Sequence, residues 1–413
     1  MRRSLSIAMS VGGVLAAWIG GAAAVRADDP GWSGNLVKNP GFEEDFVNRG
    51  SESHVLSFKG DWYYNQQDLA PDYWDLAGEW TWAQGSAPEG RHSLKLAAGA
   101  RAAQTFVRAV WQTGGSAWGG VEDRAIPVAD AEKGRFARPW RVSAQVRGGG
   151  TVIVNGVSNS APAGADWQRV TVDLPADKLL KPDDPVTVAL AGPGEFDGVE
   201  AQEQLPASPN LLANGGFEQA DAGGYPAGWA KEQKKFLAIG PTYYVWTDWN
   251  HVFRANRGPV VADALVARTG QRSLRFDVYP GDEKYIESDL VALNQDQPRA
   301  IEVGAYVRAD RINLIDIRCV DQDGDVLPGY RPRQPEYHAG GSFLFGNGTF
   351  GWRYVRKFFA VPNNVPVKGV RVRLCARGFN GHTLDDAGTR PYCMQVGTVW
   401  WDDLCVLEPE STA

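Results

Sequence analysis

The stretch Asn35–Glu43 reads NLVKNPGFE, and the stretch Asn210–Glu218 reads NLLANGGFE, so that six of nine aligned positions carry the same residue. Five further pairs of segments follow in the same order along the chain. They are Pro71–Trp74 with Pro226–Trp229, Gly90–Leu96 with Gly270–Phe276, Val142–Arg147 with Val303–Arg308, Trp167–Val170 with Trp352–Val355, and Phe196–Val199 with Trp401–Leu404. Six collinear matches are hard to reach by chance. They indicate two copies of one module, each too long to be a solenoid repeat.

The length of 413 residues suits two domains, each large enough to bury its own core. We expect a signal peptide over residues 1–27, a first module over 28–205 and a second module over 206–413. The connector Gln202–Pro209 is short and polar and carries two prolines, which is typical of a brief semi-rigid linker.

The N-terminus has the features of a bacterial export signal. Arg2 and Arg3 form a charged start, Ile7–Ile19 is apolar and small, and Ala22–Ala24 offers small residues at the cleavage spacing. No second long apolar run follows, so we expect no membrane insertion. The mature protein is predicted to be secreted or periplasmic.

The formal net charge of −7 excludes some classes of partner. Nucleic acid and anionic membranes reward basic patches, which this chain does not supply in bulk. Neutral polysaccharides impose no such requirement. The chain also contains 16 tryptophans, more than a core of this size usually needs, and indole rings are preferred surfaces for stacking on flat apolar ligands.

All four cysteines, Cys319, Cys375, Cys393 and Cys405, lie in the second copy. In an exported protein an even number of cysteines predicts disulfides, with three possible pairings. We favour Cys375 with Cys393 because these two flank an apparent loop insertion. The alternative is four buried thiols. The first copy has no cysteine, so the fold itself does not depend on disulfides.

Both copies contain short segments with a period of two, separated by Gly, Pro, Asn and Asp, and no amphipathic helix longer than three turns. The predicted strands are 93–96, 141–147, 151–157, 169–174 and 186–190 in the first copy, and 273–278, 301–307, 312–320, 354–361 and 370–374 in the second. This pattern predicts an all-β chain of two tandem antiparallel β-sandwiches of the jelly-roll type.

These motifs resemble the carbohydrate-binding modules of the cellulase and xylanase type, families four and nine, which have a galactose-binding-like jelly roll. The family opens with N-L-x-x-N-G-x-F-E, continues with P-x-x-W and G-x-x-S-L, and closes with an aromatic-Asp-Asp-hydrophobic strand. Asn210–Glu218 and Trp400–Leu404 match that pattern well. The first copy departs from it at Pro40, where Gly is usual, and at Gly198, which replaces the second Asp.

The resemblance implies a structural calcium ion in each module. The acids that match the family's ligands are Glu43 with Asp197 in the first copy, and Glu218 with Asp402 in the second. Calcium takes six to eight oxygen ligands, so carboxylates from the two ends of a module could share one ion. The alternative is that each Glu caps a turn and each Asp accepts hydrogen bonds from backbone amides.

The resemblance also implies aromatic rings that stack on sugars. In the family a key ring follows the G-x-x-S-L strand, which points to Trp118 in the first copy, with Trp111 as a competitor, and to Tyr285 in the second. Further candidate rings are Trp62, Trp82, Trp246 and Trp249. The alternative for each single ring is packing in the core or a loop. The tryptophans that recur in both copies, Trp74, Trp229, Trp167 and Trp352, are predicted to be structural.

The sequence contains no G-x-S-x-G, no H-E-x-x-H and no Gly-rich phosphate loop after a strand. A pair of glycosidase carboxylates is a spatial arrangement that sequence alone does not reveal. Our first hypothesis is an exported, non-catalytic protein that binds a polysaccharide or glycan. The alternative is a structural or adhesive envelope protein whose partners are other envelope proteins. A glycan-cleaving jelly-roll enzyme ranks last.

Overall fold

The computed structural model describes residues 31–43, 71, 73–85, 87–107, 138–179, 185–229, 260–278, 283–293, 295, 301–324, 327, 329–330, 348–359, 367–378 and 396–408. These residues form antiparallel strands and one 3-10 turn at Ala176–Lys178, with no α-helix among them. The predicted all-β fold class is confirmed. No helix in the described ranges is long and apolar enough to span a bilayer. The expected signal peptide lies outside these ranges.

The described residues of the first module form ten strands in two five-stranded sheets. The strands are β1 (Asp75–Ala77), β2 (Trp80–Gln84), β3 (His92–Leu96), β4 (Arg101–Val107), β5 (Trp140–Arg147), β6 (Thr151–Val154), β7 (Val157–Ser160), β8 (Gln168–Leu174), β9 (Pro185–Ala191) and β10 (Gly194–Glu203). One sheet, here called the β4 sheet, has the order β1-β4-β9-β6-β7. The other, the β5 sheet, has the order β2-β3-β10-β5-β8.

The period of two seen in the sequence becomes the inward and outward alternation of each strand. In β5, Trp140, Val142 and Val146 are buried in the core between the two sheets, whereas Arg141 and Arg147 point outward and are partly exposed. The predicted strand 151–157 is instead a hairpin, β6 and β7. Asn155 and Gly156 take positive φ angles of 44° and 84°, which is the conformation that Asn-Gly favours in a tight turn.

In the second module, the part of the chain that the structure describes forms nine strands. They are β11 (Val260–Asp263), β12 (Ser273–Val278), β13 (Glu283–Glu287), β14 (Val291–Ala292), β15 (Ile301–Asp321), β16 (Gly329–Tyr330), β17 (Gly348–Phe359), β18 (Gly369–Gly378) and β19 (Gly397–Leu407). One layer has the order β11-β12-β19-β15-β17-β16. In the other, β18 pairs with β13, β14 and the second half of β15. Buried residues of both layers form one core.

Strand β15 belongs to both layers of the second module. Its residues up to Asp310 pair with β17 and β19, and its residues from Ile312 onward pair mainly with β18. Between them Arg311 takes a φ of 56°, and the register shifts on both sides of it. The sequence predicted separate strands at 301–307 and 312–320. The bend at Arg311 joins them because it lets one strand change partners without a loop.

Candidate metal centre and candidate binding faces

The first Asn of the repeated run fixes the opening segment of each module to its closing strand. The Asn35 side-chain amide donates to the Val199 carbonyl at 2.9 Å, and Asn35 Oδ1 accepts from the N–H groups of Val37 and Ala201 at 3.0 Å. Asn210 makes the equivalent three bonds with Leu404, Leu212 and Val406. The two ends of each module therefore lie side by side.

The Phe of the run turns the chain so that the following Glu leaves the core. Phe42 and Phe217 are fully buried, with φ angles of 57° and 56° that a bulky residue rarely adopts. Their rings lie 5.2 Å from those of Trp74 and Trp229, which are buried. The burial of these two recurring tryptophans agrees with the structural role predicted for them.

Each repeated Glu caps the turn that precedes the G-x-x-S-L strand. Glu43 Oε1 accepts the N–H groups of Arg91 at 2.6 Å and His92 at 2.7 Å, and Glu43 Oε2 lies 3.1 Å from His92 Nδ1. Glu218 Oε1 accepts the corresponding N–H groups at 2.9 and 3.1 Å. Within the described residues, Glu218 Oε2 accepts no hydrogen bond, and in this Glu218 differs from Glu43.

Glycine is required immediately before those two N–H groups. Gly90 and Gly270 have φ angles of 74° and 61°, and a Cβ atom added to them would lie 2.3 Å from Glu43 Oε1 and 2.1 Å from Glu218 Oε1. The Gly of G-x-x-S-L thus gives each carboxylate room to approach the backbone.

The repeated Asp residues are buried and accept backbone amides. Asp197 accepts the N–H groups of Glu89 at 2.8 Å and Gly198 at 2.7 Å. Asp402 Oδ2 accepts the N–H groups of residues 268 and 269 at 2.8 and 3.3 Å, and its Oδ1 accepts that of residue 403 at 2.8 Å. A register shift in the strand pairing at each position turns the Asp side chain toward the opening run.

The structure brings each repeated Glu close to its repeated Asp. A Cβ atom built on Gly41 lies 3.5 Å from Asp197 Oδ1 and 3.7 Å from Glu43 Cγ, and the sum of these distances limits the separation of those two atoms. On Gly216 the corresponding distances, to Asp402 Oδ1 and Glu218 Cγ, are both 3.9 Å. We call each pair a carboxylate corner.

Both buried aspartates resist ionisation in the folded chain. The pKa of Asp197 is raised to about 7, mainly by burial and also by the nearby carboxylates of Glu89 and Glu43, against the lowering effect of the amide hydrogen bonds. Burial likewise raises the pKa of Asp402 to about 7, with the Asp403 carboxylate as the next cause. A cation at either corner would offset this cost.

The hydrogen bonds expected under the non-metal alternative are thus present in both corners. These hydrogen bonds leave acceptor positions unused, because each carboxylate offers about four of them. Among the described residues, no group of three or more His, Cys, Asp or Glu side chains could hold a metal ion. A calcium ion at a corner would therefore take two carboxylates and complete its shell with backbone carbonyls, which fits its preference for oxygen.

Most of the predicted sugar-stacking rings lie outside the described residues. These are Trp62, Trp111, Trp118, Trp246 and Trp249. Trp82 is described and belongs to the first carboxylate corner: its indole N–H donates to the Phe42 carbonyl at 2.8 Å, and its ring stacks on His92 at 4.5 Å. Trp82 is partly buried, so it supports Glu43 and its loop rather than offering a free platform.

Tyr285 does not have the exposure predicted for it. The residue is only 7% exposed, and the Arg373 guanidinium lies 4.6 Å from the centre of its ring. The expectation of an exposed stacking ring at Tyr285 is therefore wrong. The reason is its place on β13, where the cation on the neighbouring strand covers the ring that a sugar would need.

Three of the four cysteines lie in the described residues. Cys319 and Cys375 are buried and Cys405 is partly buried, and none of the three is bonded to another described cysteine. Cys393 lies outside the described residues, so the predicted Cys375–Cys393 disulfide stays a prediction. Burial raises the pKa of Cys405 to about 12, which keeps this thiol protonated and unreactive.

The outward face of the β4 sheet is neutral and small at its centre. The hydroxyls of Thr105 and Thr187 lie 3.1 Å apart, and those of Thr151 and Ser160 lie 2.8 Å apart. A cross-strand row between them consists of Ala103, Ala189, Ile153 and Ser158. The charged side chains on these strands stand at the margins of the face and are Asp75 and Arg101.

In the second module, the face of the β18 layer that is turned away from the hydrophobic core carries charged side chains, of which Asp316 and Glu287 are buried. One cross-strand row contains Tyr285, Cys375 and Asp316, and the next contains Glu287, Arg373 and Arg318. The acids and bases pair with one another: Arg373 Nε lies 2.6 Å from Glu287 Oε1, Arg318 Nε lies 3.0 Å from Asp316 Oδ2, and the buried Lys357 Nζ lies 2.9 Å from Asp316 Oδ1.

Sequence reasoning missed the role of Asp403. Its carboxylate accepts the Arg268 guanidinium at 2.6 Å and the Thr269 hydroxyl at 2.5 Å, so it holds the loop whose amides bind Asp402. The signal was present in the sequence, because Asp403 is the second Asp of the closing motif and Gly198 replaces it in the first copy.

No protein-family model and no curated protein sequence matches this chain significantly. Solved structures with a similar arrangement include β-sandwich carbohydrate-binding modules. One is the tandem CBM22 domain at the N-terminus of Xyn10C from Paenibacillus barcinonensis, with 9% identity, covering 82% of this chain and 93% of that one, at a TM-score of 0.27.

Two further matches each cover about half of this chain. TmCBM61, solved with β-1,4-galactotriose, is 15% identical over 49% of this chain and 99% of its own, at a TM-score of 0.28. A Stig cyclase from Fischerella is 12% identical over 49% of this chain and 98% of its own, also at a TM-score of 0.28. At such identities and TM-scores these matches assign no ligand to this chain, and membership of families four and nine stays a prediction.

Proposed function

We propose that this protein is an exported, non-catalytic glycan-binding protein whose first module binds a neutral polysaccharide on the outward face of the β4 sheet. The observation that carries the proposal is the chemistry of that face. The described side chains at its centre are hydroxyls and apolar groups without charge, which suits the mixed hydroxyl and C–H surface of a neutral sugar.

The sequence that follows β4 supplies the aromatic rings for this proposal. Trp111 and Trp118 come four and eleven residues after Val107, the last residue of β4. A ring beside a small, flat sheet surface can stack on the C–H face of a pyranose while the threonine hydroxyls bond to its edge. Each ring should contribute about 1–3 kcal/mol, by analogy with bases stacked on aromatics.

Calcium has a structural role in the proposal, at the two carboxylate corners. Glu43 with Asp197, and Glu218 with Asp402, would hold one ion each. When bound, the ion supplies positive charge that keeps both carboxylates ionised and ties the opening run to the closing strand. The second corner should bind more tightly, because His92 already lies against Glu43 Oε2 whereas Glu218 Oε2 has no hydrogen-bond donor among the described residues.

The proposal is tested by retention of the mature protein on a panel of insoluble polysaccharides, with and without chelator. Thr187→Glu places a charge at the centre of the face and should abolish retention. Thr81→Glu is the matched control, because it places the same charge on the outward face of the β5 sheet, where Thr81 is exposed opposite Lys95. Trp118→Ala and Trp111→Ala should each weaken retention. Equal retention of the two Glu variants would contradict the proposal.

A second candidate function is a structural or adhesive role in the cell envelope through contacts with other proteins. Two observations on the second module favour it. The predicted stacking ring of Tyr285 is buried, and Tyr306 and Tyr354 pack against Gly34 of the first module. Absence of retention on every polysaccharide, together with capture of a defined envelope protein by the intact chain, would make this the better function.

A further inference from the structure

We infer that the two modules are locked together by a reciprocal pair of buried ion bridges, so that the chain works as one rigid two-module unit. Each module contributes one arginine and one glutamate, and both ion pairs cross the junction. The surface involved is one face of β15 and β17 in the second module, and its partner is the end of the first module. The inference does not depend on the proposed function.

The ion pairs connect residues far apart in sequence. Arg138 Nη1, from the segment entering β5, lies 2.7 Å from Glu302 Oε2 at the start of β15. Arg356 of β17 pairs with Glu203, the last residue of β10, and its Nη1 also lies 3.8 Å from Glu302 Oε1. The cluster contains two positive and two negative charges and is therefore neutral.

All four side chains are almost completely removed from water. The side chain of Arg138 is 10% exposed, and those of Glu203, Glu302 and Arg356 are 2% exposed or less. Burial alone would lower the pKa of Arg138, but the charges of Glu302 and Glu203 outweigh that effect and raise it. Buried charges are tolerated only when they are paired, so separation of the modules must return all four side chains to water.

Close packing surrounds the ion cluster. A Cβ atom on Gly34, in the opening segment of the first module, would lie 2.1 Å from Tyr306 Oη and 2.6 Å from Tyr354 Cβ. The rings of Tyr306 and Tyr354 are buried and lie 5.2 Å apart. Gly34 is therefore the position at which any side chain would push the modules apart.

A second contact lies beside the first. The Arg353 guanidinium of the second module is 5.0 Å from the ring centre of Tyr73 in the first module, and its Nη1 is 3.4 Å from Tyr73 Oη. The modules thus touch at the ion cluster, at Gly34 and at Tyr73. This differs from two modules joined only by a linker, which would bind independently and gain avidity according to linker length.

The test asks whether the two modules stay together once the polypeptide between them is cut. A site for a specific protease is inserted between Ala207 and Ser208 of the full chain, and the cut protein is applied to a size-exclusion column. We expect the two halves of the otherwise unchanged protein to elute as one species. Separate elution of those halves would overturn the inference.

Two variants sharpen the result. Gly34→Val should make the halves separate, whereas Gly164→Val, the matched control in the same module, should leave them together because an added Cβ there meets nothing within 4 Å. Arg356→Met should raise the dissociation constant of the halves by at least about a hundredfold. Circular dichroism of each half checks folding. Gly34→Val halves that fold and remain together would also overturn the inference.

Discussion

The two modules share their carboxylate corners and differ on their outward faces. The opening Asn makes the same three hydrogen bonds in each copy, and the Phe takes almost the same left-handed φ. In contrast, the outward face of the β4 sheet in the first module is neutral, and the layer around β18 carries paired charges whose acids are buried. The repeated residues are those that fold the module. The residues that do not repeat determine what each module contacts.

The largest effect should come from the buried Phe of the repeated run, which precedes the Glu of each carboxylate corner. Phe42→Ala and Phe217→Ala each remove a fully buried ring that packs on a tryptophan, so each should lower the free energy of unfolding by about 3–5 kcal/mol. Chemical denaturation followed by tryptophan fluorescence measures this. A large loss for one variant and almost none for the other would show that the corners are not equivalent.

The two buried aspartates should make the stability of the folded chain depend on pH. The pKa of Asp197 and that of Asp402 are about 7 in the folded chain, above the ordinary value of 3.8, so the folded state binds these protons more tightly than the unfolded state. Their contribution is complete below the ordinary value and is lost as pH rises through about 7. In chelator we expect the unfolding free energy to fall over that interval by at most about 4 kcal/mol per carboxylate.

Urea denaturation at pH 5 and at pH 8 measures the effect. The control is the double variant Asp197→Asn and Asp402→Asn, which should lose the slope. A slope that is unchanged in the double variant would assign the pH dependence to other groups.

The two carboxylate corners should differ in how much calcium stabilises the folded chain. Added at about a hundred times the dissociation constant of a corner, the ion should stabilise the module that contains that corner by about 2.7 kcal/mol, and chelator should remove that gain. Glu218→Gln should lower the calcium response more than Glu43→Gln, because the first corner already places His92 beside its second oxygen. Thermal unfolding in a calcium titration tests this. An equal loss in the two variants would remove the proposed difference.

The smallest effect should come from the position after the repeated Asp, where Gly198 in the first copy corresponds to Asp403 in the second. Asp403→Gly removes the contacts to Arg268 and Thr269 but relieves a φ of 48°, so the net loss should be about 0.5–1 kcal/mol. The reverse change, Gly198→Asp, adds a side chain at a φ of 52° and should cost a similar amount. Differential scanning calorimetry resolves both. A stabilised Gly198→Asp variant would contradict this explanation.

Sequence was sufficient for the fold because folding residues recur. The Asn, Gly, Phe, Glu and Asp of the repeat are fixed by local backbone geometry, which two copies display twice. The sequence did not predict that β15 is continuous through Arg311, because a single left-handed residue that joins two strands has no distinctive pattern. It also failed at Tyr285, because exposure depends on Arg373, which lies 88 positions away in the sequence. The ion cluster at the junction was not foreseen for the same reason: each of its charges looks like an ordinary surface residue when read alone.

The pairing of each opening segment with its closing strand has a consequence for how such chains arise. The Leu36 N–H donates to the Ala201 carbonyl at 2.8 Å, and the Leu211 N–H donates to the Val406 carbonyl at 2.9 Å. A module whose entrance and exit are neighbours can be copied, inserted or deleted as a cassette without displacing the rest of the polypeptide. A tandem duplication could therefore produce a folded product at once, and the residues that do not fold the module would then be free to differ between the copies.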